Sequence, residues 1–147
     1  AREGLSLDVY PSRPVPAYAQ LASEPSGLRL HATLPPRQLL AELTEYDFGW
    51  AGFNAALNGA HLDTCLPNKA YEYVGCGLPV LTLRHRALSR LVDEGRFGVS
   101  LTTLDDLGGQ LAAIDVVGVR RRIASARFEL TVEANIHRLI ELYESFS

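Results

Sequence analysis

The stretch Leu66-Pro67-Asn68-Lys69-Ala70-Tyr71-Glu72-Tyr73-Val74-Gly75-Cys76-Gly77-Leu78-Pro79-Val80-Leu81-Thr82-Leu83 decides the fold of this chain. Residues 67–76 read as a helix, Gly77 supplies a left-handed C-terminal cap, and Pro79 just beyond it marks the stop. The run Val80-Leu81-Thr82-Leu83 then reads as a central strand. A helix delivering directly into a buried strand is half of an α/β repeat.

Working outward, the same alternation continues in both directions. Residues 86–94 read as a helix ending at Gly95, followed by a strand over 97–101. Upstream, residues 46–53 form a mostly apolar stretch that predicts a buried strand, and 54–66 predict a loop. Pro35-Pro36 opens a helix running to about residue 45, because Pro is tolerated in the first turn. Residues 28–32 and 5–10 read as strands, with a short helix over 17–23 between them. Thr103 with Asp106 approximates a capping box for a helix over 107–114, which Gly108-Gly109 weakens by about 1 kcal/mol per glycine. Last, Thr131 caps the clearest amphipathic helix, with Val132, Ile136, Leu139, Ile140, Tyr143 and Phe146 at three- and four-residue steps. Strands separated by helices favour crossovers and a parallel sheet, so the expected fold is a Rossmann-like α/β domain over 1–147 with 131–147 as terminal helix. Ligands of such sheets bind beyond the carboxyl ends of the strands, where the 54–66 loop falls.

The bulk numbers fit this reading. The chain has 147 residues, 47% hydrophobic and 21% charged, enough for one domain with a real core. A net charge of −3 argues against nucleic acid as a partner, which needs clustered Lys and Arg. The one basic run, Arg120-Arg121-Arg122, is read as a solvated helix face. Two cysteines make no disulfide framework, and a reduced cytoplasmic setting is the default. No window is long and apolar enough for a membrane span. The chain opens at Ala1 without a signal core, as expected for a piece of a longer protein.

The chemistry lies in the quoted stretch. The first N–H groups of a helix lack internal partners, and together with the dipole they suit an anion such as a diphosphate. Lys69 sits in the first turn, where a cation opposes the dipole unless an anion is bound. Lys69, Glu72 and Cys76 share one stripe by spacing. A carboxylate at Glu72, one turn below an anion site, can accept hydrogen bonds from a vicinal diol such as a ribose.

Pro67-Asn68-Lys69-Ala70-Tyr71-Glu72-Tyr73 followed by Gly77-Leu78-Pro79-Val80 resembles the donor-site signature of glycosyltransferase family 4 and its relatives, Pro-x-Lys-x-x-Glu-Tyr and then Gly-x-Pro-Val. Residues 28–43, Tyr46-Asp47-Phe48-Gly49, Arg96-Phe97-Gly98-Val99 and 131–146 resemble further segments in the family's order. The resemblance implies the C-terminal, donor-binding half of a two-domain GT-B fold, working with an N-terminal acceptor domain. It implies that Glu72 binds the donor ribose. Thr64, Leu66, Pro67, Asn68 and Lys69 would meet sugar and diphosphate, and backbone near Thr33 and Leu34 would meet the base. Transfer would come from a nucleotide-diphosphate sugar, usually with retention, without metal or other cofactor. Peripheral membrane association would run through the acceptor domain. Many members carry a second Glu where Thr64 stands here, beside Asp63. The family's phosphate-holding Arg and Lys would precede Leu5, so the domain reads as truncated on its N-terminal side and inactive alone. The family's terminal helix crosses to the other domain, which predicts an apolar stripe left partly exposed here.

Alternative readings are a non-catalytic Rossmann-like binding module and, less favoured, a sugar-nucleotide epimerase. By pattern alone Glu72 and Lys69 are a surface ion pair. His61, Asp63 and Cys65 alternate as zinc ligands would, but a fourth ligand is not evident. Cys65 and Cys76 read as inert small hydrophobes, His31 and His85 as structural or solvent-facing, and at least one of Tyr71 and Tyr73 as core packing.

Overall fold

The computed structural model describes residues 4–53 and 58–146. It is α/β, with parallel strands in two small sheets flanked by helices, in keeping with a Rossmann-like fold. The chain divides into two compact units, residues 1–42 with 104–114, and residues 43–103 with 115–147.

The first unit holds β1 (Leu7–Val9), α1 (Pro16–Ser23), β2 (Leu28–Leu30), α2 (Pro36–Leu43, its last residue in the other unit) and, from later in the chain, α6 (Leu107–Ala112). β1 and β2 pair in parallel, Leu7 opposite Leu28 and Val9 opposite Leu30. Asp8 on β1 reaches across the pair. Its Oδ1 lies 2.5 Å from His31 Nε2 and its Oδ2 3.8 Å from Arg29. The Tyr10 ring stacks on His31 with centroids 4.4 Å apart, so His31 is structural.

The second unit holds β3 (Gly49–Trp50), α3 (Gly59–Leu62), α4 (Asn68–Gly75), β4 (Val80–Leu83), α5 (Arg86–Gly95), β5 (Gly98–Leu101), α7 (Val116–Ala126), a 3-10 turn (Arg127–Leu130) and α8 (Val132–Glu144). The sheet order is β3-β4-β5, all parallel, with Gly49 opposite Val80 and Val80 opposite Gly98. Val80 is central and fully buried. The core around it contains Ala51, Ala70, Val74, Leu88, Val92, Phe97, Ile123 and Ala126. Tyr73 packs against that core and its hydroxyl donates to the Trp50 carbonyl at 3.3 Å, whereas Tyr71 is exposed.

Gly77 takes φ +78, the Leu78 N–H donates to the Tyr73 carbonyl, and the Gly77 N–H donates to that of Val74. This is the glycine-capped stop the sequence predicts. α5 ends at Gly95, as expected, and the left-handed residue is the next one, Arg96 (φ 56). A Cβ on Gly95 would run into the Phe97 ring, so that glycine serves close packing and the next residue accepts the turn. The capping-box expectation at Thr103 fails. Asp106 holds the N-cap position of α6 in a left-handed conformation, and its side chain makes no capping bond. The loop expected over 54–66 contains α3, while residues 54–57 of that loop lie outside the described residues.

The basic run lies on a helix face with Arg121 and Arg122 exposed, as expected, and Arg120 half-buried, but two of its side chains also brace the fold. Arg120 donates to the Tyr46 carbonyl, and Arg122 donates to the Gly95 carbonyl at 3.1 Å with its guanidinium over the Phe97 ring. Long apolar stems with fixed forks let Arg brace a helix against a strand entry while its charge stays solvated. The helix carrying them, α7, is capped by Asp115, whose side chain accepts from Gly118 N. Thr131 caps α8 in the same way through Ala134 N. The apolar stripe of α8 is exposed along its length, from Val132 to Phe146. No helix among the described residues is long and apolar enough to cross a membrane.

Candidate functional site

β3 ends at Trp50 and β4 at Leu83; Phe53, three residues past β3, meets Lys69 in the first turn of α4, and His85, two past β4, meets Phe53. This is the carboxyl edge of the second unit's sheet. Pro67 occupies the N-cap position of α4 with extended backbone and no side-chain capping bond. No capping side chain therefore covers the helix opening, while the Ala70 N–H donates to the Pro67 carbonyl at 3.0 Å.

Lys69 stands in that first turn, half-buried. Its Nζ lies 4.2 Å from the centroid of the Phe53 ring. Burial pushes its pKa below the usual lysine value. Among the described residues no carboxylate forms an ion pair with it, so the expected surface pair with Glu72 is not made. A ring face attracts an ammonium through its quadrupole without neutralising it. The positive charge stays at the helix opening.

Phe53 is itself held. His85, 4% exposed, brings Nε2 to 3.2 Å from the Phe53 carbonyl oxygen. A carbonyl only accepts, so Nε2 carries the proton and donates. His85 occupies the N-cap position of α5, whose first N–H groups are satisfied by residue 63. The Asp63 carboxylate accepts from Arg86 N and its carbonyl from Ala87 N, each at 3.0 Å. A carboxylate at a helix N-terminus is favoured by both hydrogen bonding and the dipole. Asp63 is thereby committed to structure rather than to zinc, and among the described residues no three His, Cys, Asp or Glu side chains gather as metal ligands. Thr64 is exposed, and its hydroxyl donates to the His61 carbonyl at 2.9 Å.

Glu72 is exposed on α4, one turn beyond Lys69. Its charge reaches two neighbours. Burial raises the Tyr73 phenol and the Cys76 thiol, and Glu72 raises both further, while Arg127 opposes the rise at Cys76. Arg127 also donates to the Gly75 carbonyl at 3.1 Å, satisfying an end carbonyl of α4. Leu66 is exposed and borders a groove of about 360 Å³ with Ala87, Leu91, Phe97 and Leu130.

The fold thus brings Leu66, Pro67, Asn68, Lys69 and Glu72 together along one helix start, with Thr64 just upstream. Thr33 and Leu34 belong to the first unit, where the Thr33 hydroxyl donates to the Pro11 carbonyl at 2.7 Å and Leu34 is half-buried. Sequence reasoning missed Phe53 and the structural use of Asp63, and it named His85 without a partner. The available signal was an aromatic residue closing the β3 segment and a histidine between a strand and a helix. Neither cue tells which lysine or carbonyl it will meet. No known family model matches the chain, and no curated protein matches it.

Proposed function

We propose that the chain is the nucleotide-sugar-binding half of a GT-B glycosyltransferase acting with an acceptor domain outside these residues. The observation that carries the reading is the start of α4 at a parallel sheet's carboxyl edge, with an unneutralised Lys69 in the first turn and an exposed Glu72 one turn on. Parallel α/β sheets bind ligands at this edge, and helix N-termini favour phosphates.

In this reading the diphosphate lies over the N–H groups of residues 68 and 69 and the Lys69 ammonium, and Glu72 accepts hydrogen bonds from the ribose hydroxyls. Transfer breaks the bond between the anomeric carbon and the diphosphate oxygen, which keeps the electron pair. The acceptor hydroxyl forms the new glycosidic bond and loses its proton. Charge developing on the leaving oxygen is what fixed positive groups stabilise. Lys69 and the helix start are the groups of this chain suited to that role.

A second reading, a non-catalytic binding module, draws on Thr64 and Asp63. Both are engaged in hydrogen bonds within the chain, Thr64 to His61 and Asp63 to Arg86, which leaves the sugar without a carboxylate from that segment. Sugar transfer by the whole protein separates the two. Under the first reading Glu72→Ala lowers kcat/KM about tenfold or more, the value of a hydrogen bond to a charged group. Unchanged kinetics would remove Glu72 from the site, and binding of nucleotide-sugar without any transfer would favour the second reading.

A further inference from the structure

We infer that Phe53 and His85 are positioning residues that hold the Lys69 ammonium ready for a diphosphate, an inference that rests on the donor-site reading above. A lysine side chain has many rotamers, and fixing it at a binding site costs entropy that weakens ligand capture. A carboxylate partner would fix it but cancel its charge. The Phe53 ring fixes it from one side and leaves N–H donors and net charge available to an anion.

The ring can do this only if its own backbone is placed. Phe53 lies three residues past β3, outside the sheet's hydrogen bonding, and the bond from the buried His85 Nε2 anchors its carbonyl. His85 sits at a helix start that Asp63 ties down through Arg86 N. The order of support runs from Asp63 to α5, from His85 to Phe53, and from the ring to the ammonium. Burial that lowers the lysine's pKa agrees with a charge held in place at some cost, as binding sites often require.

The test is titration of the chain with UDP and, separately, inorganic pyrophosphate. It compares wild type with Lys69→Met, Phe53→Leu, His85→Ala, His85→Asn and the His85→Ala/Lys69→Met double variant. Phe53→Leu and His85→Ala should each weaken binding of both probes about three- to tenfold, the worth of a partly buried cation–π contact. His85→Asn, whose amide can still donate to the Phe53 carbonyl, should recover most of the loss. In the Lys69→Met background His85→Ala should cost nothing further, because the lysine it positions is gone. Equal losses with and without Lys69 would show a merely structural histidine and overturn the inference. So would Phe53→Leu and His85→Ala binding like wild type while Lys69→Met binds weakly, and both results leave the donor-site reading standing. Failure of wild type to bind either probe would instead sink that reading and the inference with it. Phe53→Leu, which stays apolar, carries the same double-variant test should His85→Ala not fold.

Discussion

The Lys69 ammonium sits 4.2 Å from the centroid of the Phe53 ring, at the opening of α4 and without a carboxylate partner among the described residues. A half-buried, unpaired cation is a poor choice for stability, since burial disfavours the charged form. It is a sensible choice for a site that awaits an anion.

That cost has a pH signature. Burial places the folded-state pKa of Lys69 below its unfolded value, so between the two the unfolded chain binds more protons and stability rises with pH. Below that window the penalty is fully present. Lys69→Met keeps an apolar stem against Phe53 and removes the charge. It should match or exceed wild-type stability at neutral pH, and its margin should shrink as pH approaches the unfolded lysine value of about 10.4. Urea denaturation of both proteins at neutral and alkaline pH checks this, and a methionine variant clearly less stable at neutral pH would contradict it.

Glu72 and Cys76 offer a probe of where the carboxylate stands. The thiol is raised by burial and then by Glu72, so the thiolate is scarce at neutral pH and alkylation is slow. Glu72→Gln removes the negative charge, lowers the thiol pKa and should speed modification of Cys76 by iodoacetamide. Mass spectrometry of the labelled peptide reads the rate residue by residue. An unchanged rate would place the carboxylate elsewhere.

Two glycines separate conformational from steric demands. Gly77 has φ +78 with open space around its missing Cβ, so Gly77→Ala pays only for the left-handed backbone, ~1 kcal/mol. A Cβ on Gly98 would run into the Val80 carbonyl oxygen, at the first rung of the β4–β5 pair. Gly98→Ala should cost ~3 kcal/mol, the upper range for overpacking. Denaturation midpoints of the two variants test the ordering, and equal losses would contradict it.

The stripe of α8 predicts tolerance. Val132 is 73% exposed, Tyr143 69% and Phe146 81%, and the helix packs against the 3-10 turn that precedes it. Phe146→Ser should change stability by no more than ~0.5 kcal/mol, as surface substitutions do. Thermal denaturation of the chain measures it, and a loss above ~2 kcal/mol would mean the helix is packed rather than open.

How much could be read from sequence follows from how local each cause is. Pro36, Gly77 with Pro79, and Thr131 act on their neighbours, so α2, α4 and α8 were legible almost to the residue. Where a residue answers to distant packing, reading failed. Gly95 ends α5 packed beside the Phe97 ring, and the left-handed turn falls on Arg96, which nothing in the local sequence marks. In α7 only the Arg120-Arg121-Arg122 face reads as helical, because the β-branched Val116, Val117 and Val119 before it favour strands, while Asp115 caps the helix and Ile123 and Ala126 bury it. The candidate site divides likewise. Lys69 and Glu72 follow from helix spacing, whereas the contact of Lys69 with Phe53 spans α3 and the bond from His85 spans α4 and β4.

The most direct test is an amide NMR titration of the chain with UDP and GDP into the millimolar range, repeated for Glu72→Ala. Saturable shifts centred on residues 66–72 are predicted for wild type. Glu72→Ala should weaken the nucleotides about tenfold and leave inorganic pyrophosphate unaffected, because only the ribose meets that carboxylate. Shifts confined to another part of the chain, or none that saturate, would contradict a nucleotide-sugar site at the start of α4.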